Sequence, residues 1–97
     1  MIQSVIVRPA AKRDIREARK WYRKISRDLS DDFIVAVDEA IDLARRHPLA
    51  FHQTHRTFRR VLLRRFPYAL FYHLGDDRII VVAVLHQARD PETLSDR

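Results

Sequence analysis

Histidine and arginine carry most of the chemistry that this 97-residue chain can offer. Metal-independent cleavage of RNA needs a base for the 2'-hydroxyl proton, an acid for the leaving 5'-oxygen and cations for the charge that builds on phosphorus. His86, predicted at a strand end, with Arg60, Arg64 and Arg89 as the cations, would suffice for that in principle. The same histidine has a plainer reading as a hydrogen-bonded structural residue on the last rung of a sheet. Arg59, Arg60, Arg64 and Arg65, with Arg56 and Arg89 next, suit a second task, because guanidinium forks hold carboxylate and phosphate bidentately. They are candidate contacts for an anionic partner, the rival reading being an edge strand protected from aggregation by charge, and Trp21, beside the apolar stripe of the first helix, is either a partly exposed packing residue or a further partner contact. Tyr68 and Tyr72 share a strand parity and serve either to stack a base or, as is commoner on a half-buried strand, as core. His47, His52 and His55 follow no strong zinc spacing and no cysteine assists them, so neither a metal nor a cofactor is expected.

The elements that must position these groups can be read from periodicity. Ile2, Val5, Ile6 and Val7 predict a strand over residues 2–7, and Pro9 suits the first turn of a helix, where its missing N–H has no intrahelical acceptor. Ala11, Ile15, Ala18, Tyr22, Ile25 and Leu29 form one apolar stripe at helical period. Ser30 is a candidate cap for a second helix, with Asp31 and Asp32 in its first turn. Its stripe is Phe33, Ile34, Val37, Ala40, Ile41 and Ala44, and Pro48 stops it. With almost no chain between them, the two helices should form an antiparallel hairpin. Residues 49–57 read as a loop, and residues 58–66, 68–74 and 79–87 as three strands. Pro67 marks a turn or edge position between the first two of these, and Gly75-Asp76-Asp77 the turn between the last two. Residues 88–97 read as a short polar tail. The strand 79–87 is apolar at both parities and should lie centrally, with both faces covered. Parity sets Arg60, Leu62, Arg64 and Phe66 on one face of strand 58–66, which we expect to face the partner. Arg59, Val61, Leu63 and Arg65 fall on the face expected to lie under the helices. The fold class is α+β, β-α-α-β-β-β, an antiparallel sheet with a two-helix hairpin on one face.

Composition sets the outer limits. A chain of this length is expected to be a single domain, residues 1–97, with a thin core. Without cysteine, disulfides and thiolate metal sites are excluded. The opening apolar stretch is broken too early by Arg8 for a signal peptide, and no run approaches a membrane span, so a cytoplasmic location is expected. The net charge is +6 and sixteen of nineteen basic residues are arginine, which points to an anionic partner. Charge is segregated: residues 1–27 hold nine basic and two acidic groups, residues 28–44 six acidic and no basic ones, and residues 45–65 seven arginines without an acid.

The element order, with Arg59-Arg60-Val61-Leu62-Leu63, Phe66-Pro67-Tyr68-Ala69-Leu70-Phe71-Tyr72 and Ala83-Val84-Leu85-His86-Gln87-Ala88-Arg89-Asp90-Pro91, resembles the RelE/ParE toxin family of type II toxin-antitoxin systems. Ala11, Asp14 and Trp21-Tyr22 are similar to the family's first-helix pattern. The resemblance implies a small sheet with two helices on one side and a groove on the other, and a growth-inhibiting toxin neutralised by a cognate antitoxin with an acidic or amphipathic segment. It implies a toxin-antitoxin hetero-oligomer and no membrane partner. RelE-like members cut messenger RNA on the ribosome, pairing basic residues of the middle strands with a group near the C-terminus, often a tyrosine or a histidine-tyrosine pair. ParE-like members, the plasmid-stabilization branch, poison DNA gyrase without a known hydrolytic site. Here His86 is followed by Gln87, residues 91–97 hold no tyrosine and no lysine follows Lys24, which sets the chain nearer the ParE-like branch. The implied function is therefore binding of a protein target such as gyrase. The alternatives are a ribosome-dependent, metal-independent endoribonuclease, and a nontoxic nucleic-acid-binding relic.

Overall fold

A computed structural model describes residues 4–55 and 57–97. Ile2 of the expected first strand, Arg56 and the side chain of His55 fall outside the described residues. Strand β1 spans Ser4–Val7, helix α1 Pro9–Ile25 and helix α2 Arg27–Arg46. Strands β2 (Gln53–His55), β3 (Phe58–Leu62), β4 (Tyr68–Leu74) and β5 (Arg78–His86) follow, and a 3₁₀ helix covers Pro91–Asp96. The sheet order is β1-β5-β4-β3-β2. The fold is α+β, and the sheet is antiparallel except that β1 pairs parallel with β5.

One residue separates the helices. Ser26 is extended; its hydroxyl accepts from the Leu29 N–H at 3.2 Å and its own N–H donates to the Tyr22 carbonyl at 2.9 Å. The second helix thus starts at Arg27 rather than at the expected cap Ser30, which is instead buried, its hydroxyl donating to the Arg27 carbonyl at 2.9 Å. Leu29 consequently belongs to α2, and Ile25, at the end of α1, is left exposed. The remaining stripe residues face the sheet, where Ala11, Ala18, Phe33, Val37, Ala40 and Ala44 meet Val61, Leu70, Tyr72, Ile79, Val81 and Val84.

Strand β5 lies between β1 and β4 and is covered on both faces, as its double-parity apolar run requires. Its pairing with β4 shifts, Phe71 opposing Ala83 and Tyr72 opposing Val81, so Val82 is an extra residue on the β5 side. The bulge puts Val82 and Ala83 together on the face away from the helices, in a second cluster with Phe58, Ala69, Phe71, Leu85 and Leu94. Leu94 is 1% exposed. The expected polar tail is therefore a folded cover for the far face, its Asp90 cap accepting from the Glu92 N–H at 2.9 Å.

Strand β3 ends at Leu62, four residues before its expected end. Leu63 and Phe66 are both buried in the helix-side cluster, yet residues three apart on a strand point to opposite faces. The backbone must turn between them. Arg65 supplies the turn with φ 71°, a left-handed conformation uncommon outside glycine, and Leu63 N–H closes onto the Tyr68 carbonyl at 2.9 Å. The short strand β2 falls inside the expected loop 49–57 and pairs with β3 in irregular register.

Candidate donor-lined groove

The C-terminal end of β5 opens into a concavity of about 290 Å³ on the far face of the sheet. Its floor is Ala69, Phe71 and Leu85, and its rim includes Arg60, His86 and Arg89. A neighbouring concavity of about 270 Å³ continues around the strand end toward α1, sharing His86 and Arg89 and adding Trp21, Glu17 and Tyr68. Strand pairing explains the meeting, since Tyr68 opposes His86 at one end of the β4–β5 ladder while β3 carries Arg60 alongside Phe71.

Four of the expected residues thus come together: His86, Arg60, Arg89 and Trp21, the last 58% exposed. Arg64, Arg65 and Arg59 do not join them. The turn that ends β3 carries Arg64 and Arg65 toward α2, where they lie 3.8 Å from Glu39 and Asp32. The expected face Arg60, Leu62, Arg64 and Phe66 is therefore split: Arg60 and Leu62 are exposed, whereas Phe66 is buried under the helices. Arg59 is half-buried, and it donates to the Phe51 carbonyl at 2.8 Å, pinning the segment that follows α2. Tyr72 is fully buried and donates to the Pro48 carbonyl at 2.6 Å; it is core and presents no ring for stacking.

His86 is exposed but anchored. Its Nδ1 accepts from the Ala88 N–H at 3.0 Å, so in the neutral ring the proton resides on Nε2. Its ring meets Tyr68 edge-on at 5.3 Å. Burial raises the Tyr68 phenol above its ordinary value, opposed by the Arg89 cation. Tyr68 also packs on Phe33 at 5.2 Å within an aromatic group that includes Tyr22 and Phe66, which fixes the wall from which the groove opens.

An unexpected polar group lies beside the groove. Pro9 ends β1 and starts α1, so beyond Val81 one side of β5 has no strand partner. Asp14 accepts from the Val84 N–H at 3.0 Å, and Arg97 donates to the Val82 carbonyl at 2.9 Å. The two side chains pair through both carboxylate oxygens, at 2.8 and 3.1 Å, and Arg8 donates to the Arg97 carbonyl at 2.9 Å. Together they replace the missing rungs of the ladder. The sequence does hold one signal, since Asp14 stands three residues from Ala11 and four from Ala18 on the apolar side of its helix, where a carboxylate needs a partner.

The family described as the ParE toxin of type II toxin-antitoxin system, parDE, matches residues 5–91. Among solved structures, the fold is similar to a chain of the chromosomal ParDE toxin-antitoxin system from P. aeruginosa. The TM-score is 0.77 at 13% identity, over 88% of this chain and 96% of that one. It is also similar to a chain of the RelBE2 toxin-antitoxin complex from Mycobacterium tuberculosis. There the TM-score is 0.60 at 20% identity, over 89% of this chain and 99% of the other. No curated protein matches.

Proposed function

Since the chain belongs to the ParE toxin family of type II toxin-antitoxin systems, we propose that it acts by binding a protein target in the cytoplasm, such as DNA gyrase, and that a cognate acidic antitoxin restrains it. The observation that carries this reading is the hydrogen-bonding sense of the groove. Arg60, Arg89 and His86 Nε2 set three donors around an apolar floor, beside Thr54 and Gln87, which can donate or accept, because the Ala88 N–H occupies His86 Nδ1. A groove of this kind suits a peptide segment that offers carboxylates or carbonyls above apolar side chains.

A second reading, the ribosome-dependent endoribonuclease, is favoured by the sharing of one concavity by His86, Arg60 and Arg89. It needs His86 to take up a proton at an accepting nitrogen, and it has lost Arg64 to the neighbourhood of Glu39. Induced expression with separate readouts distinguishes the two. Growth arrest with a DNA-damage response and intact messenger RNA is expected; rapid transcript cleavage at ribosomes would overturn the binding reading and favour the second, and no growth phenotype would favour the relic.

A further inference from the structure

One outer side of α1 carries a row of cations. Arg16, Arg19, Lys20 and Arg23, at spacings that share one side of a helix, line a surface concavity of about 410 Å³. Lys12, Arg13 and Lys24 flank it, and all seven are exposed. None of them is within ion-pair distance of an acid among the described residues.

Elsewhere six arginines do lie within ion-pair distance of an acid. Acids on α2 stand beside arginines elsewhere, Asp32 by Arg65, Glu39 by Arg64, and Asp42 by Arg45 and Arg46. Of the two acids on α1, Asp14 is taken by Arg97 and Glu17 lines the groove beside Trp21. Like charges four residues apart recur along the helix as Lys12–Arg16, Arg16–Lys20, Arg19–Arg23 and Lys20–Lys24, and each such pair disfavours the helix. Arg23 and Lys24 favour the C-terminal end of the helix through its dipole, but Lys12, Arg13, Arg16, Arg19 and Lys20 have no such role, and a ligand that neutralises the row would relieve their repulsion.

We propose that this face of α1 docks on the sugar-phosphate backbone of a nucleic-acid duplex, as a surface separate from the donor-lined groove. No aromatic ring for an unstacked base and no apolar anchor for a protein segment lines the row itself, since the exposed Trp21 of the same helix lines the groove instead, which disfavours single strands and acidic peptides. What it presents is a straight row of cations, Arg16 to Arg23 spanning roughly 10 Å of helix at 1.5 Å per residue. A duplex, with its charge at close regular spacing and its bases turned inward, is the complementary partner. Contacts confined to phosphates carry no sequence preference.

Fluorescence anisotropy of the full chain with labelled 20-base-pair DNA duplexes of two unrelated sequences tests this. Both should bind alike. With four phosphates neutralised, affinity should fall about a hundredfold between 50 and 200 mM salt. The variant Arg16→Gln/Arg19→Gln/Lys20→Gln/Arg23→Gln should lose most of the binding at 50 mM and most of the salt dependence, with unchanged circular dichroism. If that variant does not fold, Arg16→Gln/Lys20→Gln should lower the logarithmic salt slope by about 2. Undiminished binding by the folded variant would overturn the proposal. So would tighter binding of single strands or of polyglutamate than of duplex, or loss of duplex binding only when Arg60 and Arg89 are replaced by glutamine.

Discussion

His86 is held at one nitrogen and open at the other, and the two functional readings ask opposite things of the open one. If the groove receives acceptors, the residue must donate, and His86→Gln, whose amide also donates, should keep most of the partner affinity. His86→Ala should lose about fivefold, the worth of one neutral hydrogen bond. In an endoribonuclease both changes would abolish cleavage, because glutamine cannot move a proton. Partner dissociation constants and cleavage assays on both variants separate these outcomes; equal loss of binding in both would count against the donor role. Asp14 makes a purely structural case beside it. Removing its carboxylate strands a mostly buried guanidinium and the Val84 N–H together. Asp14→Ala should therefore cost about 3 kcal/mol, whereas Asp14→Asn, which can still accept from Val84, should cost less. Urea unfolding of both variants measures the difference, and equal losses would mean that the ion pair, rather than the strand-edge hydrogen bond, dominates.

The elements divide the arginines in a way that parity alone could not. Arg60 and Arg64 share a parity, but they share a face only while the strand continues, and it ends at Leu62. Arg60→Glu/Arg89→Glu is accordingly expected to weaken partner binding strongly, about a hundredfold if two charge-assisted contacts are lost. Arg64→Glu/Arg65→Glu should leave that binding near wild type and cost under about 1 kcal/mol of stability, since both side chains are exposed and their ion pairs loose. Titration of the antitoxin with each double variant decides this, and a larger effect from the second pair would contradict the placement of the site. The helices, β4, β5 and the Gly75 turn were legible because long apolar stripes repeat their signal many times. The break after Leu62 was not, because it follows from burial of both Leu63 and Phe66, a tertiary demand that no local period announces. Strand β2 is three residues long with no β-branched aliphatic residue, too short to show alternation. The 3₁₀ helix was hidden because Leu94 is a lone apolar residue among polar neighbours, and only the uncovered far face of β5 gives it a place. In the candidate site, His86 and Arg60 could be named from residue type and strand position, and Arg89 from residue type just past the strand end. Asp14 and Arg97 could not be paired from sequence, being 83 positions apart.

For the molecule as a whole, one chain of 97 residues supports a helix-side core and a smaller far-side cluster, the latter closed by a single 3₁₀ helix. A domain of this size buries a modest share of its surface, so its stability should respond visibly to any ligand that binds only the folded state. Exposed apolar side chains remain on both helices, Trp21, Ile25, Val35 and Leu43 among them, and the groove beside Trp21 adds His86 and Arg89. An antitoxin segment that covers part of this surface should raise the thermal midpoint with its concentration. At a hundred times the dissociation constant the stabilisation is about 2.7 kcal/mol. For a domain of this length that corresponds to a rise of roughly 10 to 20 °C. Thermal unfolding across a titration of peptides from the cognate antitoxin measures this. The same titration on Arg60→Glu/Arg89→Glu should show a much smaller rise at equal peptide concentration. A midpoint unmoved at saturating peptide in the unaltered chain would mean that the peptide does not bind the folded domain, and the antitoxin would then have to restrain the toxin by some route other than occupying its surface.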